Sequence, residues 1–345
     1  MIKKIPYKTV SITSEKTIKD AMKKLNMIDE KFLIVITKDD LLLGTVTDGD
    51  IRRAILKGLN LNNKVVKCMN KKPIYANEFS KNLDTLFKRA ESMHNFLPQI
   101  NKQKKLIAVL VDDEIVIKRT ALIMAGGFGK RLGKITKKTP KPLLKIGTKP
   151  ILDLIIKKLE KANYDKVYVS THYLHEKIRD FIKTRRSVSD IQVIYEKKPL
   201  GTAGSIAMIK NLNFENLTVL NGDVMSEIDL DALNQFHLEK NYDMTITVAN
   251  YSLKIPYGVV DLDKKLSFKD IIEKPVKKYF VLGGIYCMNK KVIRLVKKSY
   301  IDMPELIDSA KMLDYKIGVF PLHEYWNDIG SSKSLTNEKK RNKKN

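Results

Sequence analysis

The chain has few of the residues that mark disulfide-stabilised, thiolate-metal or membrane proteins. Its 345 residues include only two cysteines, Cys68 and Cys287, which lie far apart and outside any Cys-x-x-Cys pair. The sequence therefore supports neither a disulfide framework nor a thiolate metal site. No apolar run reaches the ~20 residues that span a bilayer, and the N-terminus lacks the apolar segment of a signal peptide. We expect an untargeted, soluble protein in the reducing cytoplasm, with no membrane partner.

Acidic residues and arginines are also scarce. The chain carries 65 lysines and arginines against 39 acidic residues, a formal net charge of +26, and only one tryptophan. The excess is mostly lysine and is spread over the whole length, whereas a nucleic-acid binder is expected to cluster arginines with exposed aromatic residues. We therefore predict no nucleic-acid partner, although a field of this sign attracts anionic substrates.

The most specific pattern lies within residues 119–145. A short apolar run, which predicts a buried strand, is followed at residues 125–132 by AGGFGKRL. The glycines allow backbone N–H groups to surround anionic oxygens, and Lys130, Arg131 and Lys141 supply positive charge. The spacing fits neither GxGxxG nor GxxxxGK[ST], so the loop predicts a polyphosphate site of another type.

AGGFGKRL, followed by Pro140-Lys141-Pro142-Leu143, resembles the signature of the sugar-1-phosphate nucleotidyltransferases, also called nucleotide-sugar pyrophosphorylases. Lys134 departs from the pattern, since many members have proline there. The resemblance implies an α/β, GT-A-like fold, in which helices flank a mostly parallel mixed sheet. It also implies transfer of a nucleotidyl group from an NTP to a sugar 1-phosphate. The alternative is a basic surface hairpin without a ligand.

A second motif bears on the base of the nucleotide. Residues 196–204, EKKPLGTAG, resemble the base-contacting segment of the family, and of its guanylyltransferases in particular. Guanine presents two adjacent N–H donors, which a carboxylate such as Glu196 accepts together. GTP is therefore the favoured substrate. Glu196 could instead be a solvated charge at a strand end, and uridylyl or thymidylyl transfer stays open.

Two aspartates follow predicted strands far apart in the sequence. Asp223 ends the segment Asn221-Gly222-Asp223, and Asp328 lies in YWNDIG at residues 325–330. Carboxylate oxygens are suitable ligands for Mg²⁺. Each aspartate alone could be an ordinary turn residue, but the resemblance implies that both bind one Mg²⁺, the only cofactor that we predict.

Segments that resemble the family's sugar pocket lie between these aspartates. They contain Tyr257, Gly258, Glu273, Lys274 and Gly284. Where the family usually has asparagine and alanine before the last glycine, this chain has leucine and glycine. A polar contact with the sugar is therefore lost, and glucosamine, mannose, heptose and glucose 1-phosphates all stay open.

The resemblance also implies roles for individual residues. Arg131 would hold the departing phosphates, Lys141 and Lys274 the sugar phosphate, and the two aspartates the metal. The attacking phosphate is already an oxyanion at neutral pH, so positioning and charge neutralisation suffice without a general base. The implied catalytic residues are Arg131, Lys141, Asp223 and Asp328. The implied nucleotide contacts are Leu122, Ala125, Gly126, Gly127, Gly129, Lys130, Arg131, Glu196, Gly201 and Thr202.

Residues 1–118 show an internal duplication. A helix capped by Thr17 precedes two apolar runs at 32–36 and 42–46, and the same order recurs from Leu83 to residue 111. Two repeats of this size bury their apolar faces against each other, which predicts one pseudo-symmetric module.

The module resembles a tandem pair of CBS domains through GTVTDGD at residues 44–50. Thr47 and Asp50 occupy the positions that contact a ribose in that family. Leu110 replaces the threonine in the second repeat, so we expect one regulatory site, for a purine nucleotide. The alternative is a module that only packs against the enzyme or another subunit.

These observations divide the chain into a CBS pair (1–118), a nucleotidyltransferase domain (119–337) and a basic tail (338–345), which we expect to be disordered. The arrangement resembles guanylyltransferases that make GDP-glucosamine for legionaminic acid and flagellin glycans. An alternative class is a nucleotide-sensing binding protein with an inactive transferase domain. We also expect a homo-oligomer.

Overall fold

The computed structural model describes residues 2–28, 30–80, 82–90, 96–112, 119–210, 212 and 214–342. Within these ranges the N-terminal part contains seven strands, β1 (Ile2–Ile5), β2 (Ser11–Thr13), β3 (Phe32–Ile36), β4 (Leu42–Thr47), β5 (Ala76–Asn77), β6 (Phe96–Ile100) and β7 (Leu106–Asp112). Its helices are α1 (Ile18–Met27), α2 (Asp48–Leu56) and α3 (Leu83–Arg89).

Two similar units build this N-terminal part. In the first, β2 runs parallel to β3 and β3 is antiparallel to β4; in the second, β5, β6 and β7 pair in the same way. Phe32 and Phe96, at equivalent positions of the two units, stack with ring centroids 3.6 Å apart. The units thus bury apolar faces against each other, as the duplicated sequence predicts. Thr17 caps α1 through a capping box with Asp20.

The C-terminal part contains thirteen strands among the described residues. They are β8 (Arg119–Met124), β9 (Lys145–Ile146), β10 (Lys149–Pro150), β11 (Tyr164–Thr171), β12 (Asp190–Tyr195), β13 (Asn216–Asn221), β14 (Val224–Ser226), β15 (Met244–Lys254), β16 (Val259–Leu262), β17 (Phe268–Ile272), β18 (Val276–Asn289), β19 (Ile317–Leu322) and β20 (Trp326–Asp328). The helices are α4 (Ile151–Lys161), α5 (His175–Thr184), α6 (Leu230–Glu239), α7 (Lys290–Ile293), α8 (Met303–Met312) and α9 (Ser332–Asn342).

Seven of these strands form one mixed sheet in the order β12-β11-β8-β13-β18-β15-β19. The pairs on both sides of β8 are parallel, whereas β18 is antiparallel to both of its neighbours. One face packs against α4 and α6, and the other against α7 and α8. Alternate residues of β8 enter the two cores, Ala121 and Ile123 on one side and Leu122 on the other.

The carboxyl ends of β8, β11 and β13 lie at the same edge of this sheet. The Gly222 N–H donates to the Met124 carbonyl oxygen at 2.9 Å, so the ends of β13 and β8 lie close together. A Cβ at Gly222 would lie 2.6 Å from that oxygen, so only glycine fits there. Ligands in open α/β sheets bind outside this edge.

The expected disorder of residues 338–345 is wrong for 338–342, which belong to α9. Glu338 is buried and accepts hydrogen bonds from the Tyr325 hydroxyl and the Asn327 amide. These contacts tie the basic segment to the domain. Residues 343–345 lie outside the described part, as do 113–118, where we place the domain boundary. In the described ranges no helix is both long and apolar enough to cross a membrane.

Candidate active site

The glycine loop leaves β8 and lines a cavity at the carboxyl edge of the sheet. The cavity has a volume of about 300 Å³. Its walls are Gly127, Phe128, Gly129, Lys130, Arg131, Leu132, Lys141, Asp223 and Gly330. After Gly129, which has a φ of 64°, the chain turns into a 3₁₀ helix that carries Lys130 and Arg131. The loop therefore brings backbone amides and cations to one cavity, as the glycine pattern predicts.

Two carboxylates and one ammonium meet beside this cavity, and two of the three groups, Lys141 and Asp223, line it. The short strands β14 and β20 pair antiparallel, which brings Asp223, directly before β14, beside Asp328. The Lys141 ammonium forms an ion pair with Asp223 and lies 3.8 Å from Asp328 Oδ1. Residues 82 or more positions apart in sequence thus form one charged cluster. Lys141 itself is buried.

This cluster has the character of a divalent cation site. Asp328 Oδ1 is buried and has no hydrogen-bond partner among the described residues, so its desolvation is offset by the nearby Lys141 charge and not by a hydrogen bond. Burial and the neighbouring Asp223 raise the pKa of Asp328, while Lys141 and Arg131 oppose the rise. A cation that binds both carboxylates would satisfy the orphaned oxygen and lower that pKa. The donor set of two hard oxygens fits Mg²⁺.

A second cavity of about 400 Å³ continues from the glycine loop toward Glu196. Glu196 is 4% exposed, and burial raises the pKa of its carboxyl. The Leu200 N–H donates to Glu196 Oε2 at 3.2 Å, and the His172 ring lies against the Glu196 carbonyl oxygen. Glu196 is therefore a buried carboxylate at a cavity wall, and the alternative of a solvated charge at a strand end is wrong.

Most of the predicted nucleotide contacts line these two cavities. They are Ala125, Gly126, Gly127, Gly129, Lys130, Arg131, Glu196, Gly201 and Thr202. Leu122 is the exception, because it lies in the middle of β8, is fully buried and packs among core residues. Met124, two residues further along the same face of the strand, lines the cavity instead. Leu122 was a wrong prediction, since a mid-strand residue does not reach the sheet edge.

The predicted sugar contacts are divided between two places. Gly284 lines a third cavity, of about 300 Å³, which Asp328 also lines. Tyr257, Gly258, Glu273 and Lys274 lie together on the connections that flank the β16–β17 hairpin, where Lys274 N–H donates to the Tyr257 carbonyl and its ammonium pairs with Glu273. All four residues are exposed.

Several cavity residues were not predicted from the sequence. Tyr251, Val281 and Trp326 form apolar walls of the third cavity, and the Trp326 indole N–H donates to the Gly283 carbonyl at 2.8 Å. Asn221 lines both the second and the third cavity. The signal for Asn221 was its position at the end of β13, next to Asp223. The signal for Trp326 was its position in the YWNDIG segment, two residues before Asp328.

The predicted CBS nucleotide residues lie at the N-terminus of α2, where they are already engaged. Thr47 caps α2, and Asp50 accepts a hydrogen bond from the Thr47 backbone N–H. Across the domain contact, Glu239 of α6 accepts a 2.7 Å hydrogen bond from the Thr47 hydroxyl and another from Arg53. A Cβ at Gly49 would lie 2.8 Å from Glu239 Oε2. The carboxylate of Glu239 is thus held against the motif.

Arg52 of α2 is also buried where the N-terminal module packs against the C-terminal domain. Its guanidinium pairs with Asp48 and Glu324, donates to the Pro321 carbonyl and lies 4.1 Å from the Phe320 ring centroid. Burial alone would lower the pKa of Arg52, but the two carboxylates outweigh it and raise the pKa. Because Pro321 and Glu324 precede β20, Arg52 fixes the segment that delivers Asp328.

Comparison with known proteins agrees with this geometry. Residues 120–345 match the nucleotidyl transferase family and residues 2–57 match the CBS domain family. The chain belongs to the nucleotidyl transferase family, with an N-terminal CBS domain. The mannose-1-phosphate guanylyltransferase catalytic subunit beta of Drosophila melanogaster is 31% identical over 222 residues, 62% of this chain and 60% of the relative.

A second curated relative and a solved structure also match the chain. The bifunctional protein GlmU of Methanococcus maripaludis is 32% identical over 219 residues, 61% of this chain and 51% of GlmU. The crystal structure of HddC from Yersinia pseudotuberculosis has a TM-score of 0.53 and 26% identity, covering 65% of this chain and 99% of HddC; a related structure contains GMP-PN. The match spans about three fifths of the Drosophila guanylyltransferase subunit and about half of GlmU.

Proposed function

We propose that the protein transfers a nucleotidyl group from an NTP, GTP in first place, to a sugar 1-phosphate, giving an NDP-sugar and pyrophosphate. The observation that carries the proposal is the cluster of Asp223, Lys141 and Asp328 beside the glycine-loop cavity. Its members come from three distant parts of the chain and combine carboxylates for a cation with a cation for phosphates. A basic hairpin without a ligand would not need this cluster.

The residues divide the reaction among them. The loop amides with Lys130 and Arg131 would hold the triphosphate, and Arg131 would stabilise the charge that develops on the departing pyrophosphate. Lys141 would orient the sugar phosphate, whose oxygen attacks the α-phosphorus without a general base. Asp223 and Asp328 would hold Mg²⁺, which, when bound, neutralises charge on the α-phosphate.

Guanine is the base that the second cavity favours. Glu196 lies at its wall with a backbone donor on one carboxylate oxygen, and a carboxylate can accept both the N1–H and N2–H₂ of guanine. That HddC was crystallised with GMP-PN and that a mannose-1-phosphate enzyme is a guanylyltransferase supports the same choice. Uridylyl and thymidylyl transfer are the alternatives.

The sugar is proposed as glucosamine 1-phosphate, in a route to GDP-glucosamine and legionaminic acid. The support is the combination of a CBS module with PLGTAG after Glu196. Mannose, heptose and glucose 1-phosphates are the competitors. At the CBS module we propose one regulatory purine nucleotide, with Thr47 and Asp50 as ribose contacts.

A pyrophosphate-release screen tests the proposal. The full chain is assayed with four NTPs against hexose, hexosamine and heptose 1-phosphates, with and without Mg²⁺. We expect turnover with GTP and one sugar phosphate, lost in Asp223→Asn and Asp328→Asn. No turnover with any pair would favour an inactive transferase domain, and activity close to wild type in both variants would reject the metal site.

A further inference from the structure

Strand β20, which carries Asp328, has little support from its own ladder. It is three residues long, and in the described part of the chain it forms a two-stranded sheet with β14 alone. An isolated two-stranded ladder is only marginally stable in water. The position of the Asp328 carboxylate therefore depends on what packs against β20 from outside the ladder.

The side chains of this segment alternate between two faces, as in any extended strand. Trp326 and Asp328 line the third cavity. The alternate residues, Tyr325 and Asn327, both donate hydrogen bonds to a single oxygen, Oε2 of Glu338, the Asn327 amide at 2.8 Å. One carboxylate of α9 thus holds the face of the segment that lies opposite the cavity.

Glu338 is a buried acidic residue in a basic helix. It is 2% exposed, although most of α9 is exposed. A buried carboxylate is costly unless it is hydrogen-bonded and its charge is paired. Tyr325 and Asn327 supply the hydrogen bonds, and Arg341 Nη1 lies 3.7 Å from Glu338 Oε1. The burial of Glu338 is therefore compensated by groups of β20 and its flanking residue, together with one arginine of α9.

Arg341 connects the same helix to both strands of the ladder. Its guanidinium carbon lies 3.6 Å from the centroid of the Tyr325 ring, and it forms an ion pair with Glu227, directly after β14. The Glu227 N–H donates to the Tyr325 carbonyl oxygen at 2.9 Å. The contacts of α9 are thus concentrated on the residues that flank the proposed metal ligands.

We propose that Glu338 is a positioning residue of the metal site: through Tyr325 and Asn327 it holds β20 where Asp328 can share a cation with Asp223. The basic C-terminal segment is then a functional part of the site. Residues that support a metal ligand from behind commonly change metal affinity about 10- to 100-fold when they are replaced. The proposal rests on the metal site of the proposed function, but not on the identity of the nucleotide or the sugar.

The test is the binding of Mn²⁺ alone, as a paramagnetic substitute for Mg²⁺, to the full chain. Electron paramagnetic resonance measures the free ion, and Asp328→Asn defines the part of the binding that belongs to the proposed site. Glu338→Met removes the acceptor at similar side-chain length and should weaken that part about tenfold. Glu338→Gln is equally uncharged but keeps an oxygen that can accept both hydrogen bonds, so it should bind Mn²⁺ close to the wild type.

The pair of variants separates position from charge. Equal weakening by Glu338→Met and Glu338→Gln would mean that the lost negative charge, and not the lost acceptor, lowers the affinity, and would overturn the proposal. If Asp328→Asn weakens binding and Glu338→Met does not, the role of Glu338 alone is wrong. If Asp328→Asn itself has no effect, the metal site of the proposed function is wrong and this role falls with it.

Glu160→Met is the matched control for a merely structural effect. The Glu160 carboxylate accepts hydrogen bonds from the Arg185 guanidinium at 2.7 and 2.8 Å, and Glu160 lines none of the three cavities. Its replacement should destabilise the chain and leave Mn²⁺ binding unchanged. Thermal unfolding by circular dichroism establishes that each variant is folded. Weakening as large as in Glu338→Met would assign both losses to general destabilisation and overturn the proposal.

Tyr325→Phe keeps the test decisive if Glu338→Met does not fold. It removes one hydroxyl and leaves the Asn327 hydrogen bond to Glu338 in place. Its Mn²⁺ binding should therefore be weaker than that of the wild type, but less so than in Asp328→Asn. Wild-type affinity in Tyr325→Phe would show that the contact with Glu338 does not position Asp328.

Discussion

Two motifs of this chain resemble nucleotide sites, and the structure surrounds them in opposite ways. AGGFGKRL follows a strand and lines an open cavity together with Lys141 and Asp223. GTVTDGD ends a strand, but Thr47 is 1% exposed and the Glu239 carboxylate is held against it. A motif specifies local backbone and capping geometry. Whether it can receive a ligand depends on what packs against it.

The comparison predicts unequal effects for charge removal at the two motifs. Lys141→Met should lower nucleotidyl transfer on the order of 10³-fold. It removes the buried cation proposed to orient the sugar phosphate, and it leaves the carboxylates of Asp223 and Asp328 without their partner. Asp50→Asn in the CBS motif should leave turnover close to wild type. Initial rates of pyrophosphate release at saturating Mg²⁺ measure both. Equal losses would mean that the CBS motif belongs to the catalytic machinery.

The helix that follows GTVTDGD should contribute more to the free energy of unfolding than to turnover. Arg52→Met removes a buried guanidinium and leaves the carboxylates of Asp48 and Glu324 uncompensated, which should cost about 3–5 kcal/mol of unfolding free energy. The matched control is Arg179→Met, which breaks an exposed pair with Glu176 and should cost less than about 1 kcal/mol. Urea unfolding monitored by circular dichroism compares them. Similar midpoints for the two variants would show that the domain contact is weak.

Glu196 tests whether the open cavity reads the base. Glu196→Gln should lower the ratio of kcat/KM for GTP to kcat/KM for dTTP, which corresponds to a loss of about 1–3 kcal/mol in the preference for GTP. The reason is that the amide offers guanine one acceptor and one mismatched donor. Met225→Leu is the control, because Met225 lies on β14 two residues after Asp223 and does not line the second cavity. An unchanged GTP:dTTP ratio in the Glu196 variant would show that other groups read the base.

The same carboxyl gives a pH dependence. Burial raises the pKa of Glu196, so its carboxylate form, which accepts from guanine, is lost as pH falls through a higher pH than for an ordinary glutamate. The preference for GTP over dTTP should therefore decrease toward acidic pH in the wild type. In Glu196→Gln, which does not titrate at this position, the preference should be flat over the same range. A parallel decrease in both proteins would assign the titration to another group.

Sequence reasoning anticipated that Lys141, Asp223 and Asp328 lie near the glycine loop, because their motifs carry local signals. Strand, glycine loop and strand-end aspartate each follow from neighbouring residues, and parallel strands bring their ends together. It did not find the Glu239 contact, since Glu239 at the end of α6 looks like any solvated helix charge. It also failed for α9, because the burial of Glu338 against Tyr325 is a long-range contact that composition does not report.

The smallest expected effect comes from removing Glu239, whose carboxylate packs against Thr47 in the GTVTDGD motif. If a purine nucleotide binds through Thr47 and Asp50, its ribose hydroxyls need the groups that now bond to Glu239 and Arg53, so binding must displace the Glu239 carboxylate. Glu239→Ala removes that competitor and should raise the affinity of the full chain for AMP about fivefold, at the low end of typical coupling energies. Calorimetry with AMP compares wild type, Glu239→Ala and Glu239→Ala/Asp50→Ala, and the added change at Asp50 should abolish the gain. Absence of AMP binding in all three proteins would leave α2 as a docking element between the two domains, with Arg52 and Glu239 serving only to hold them together.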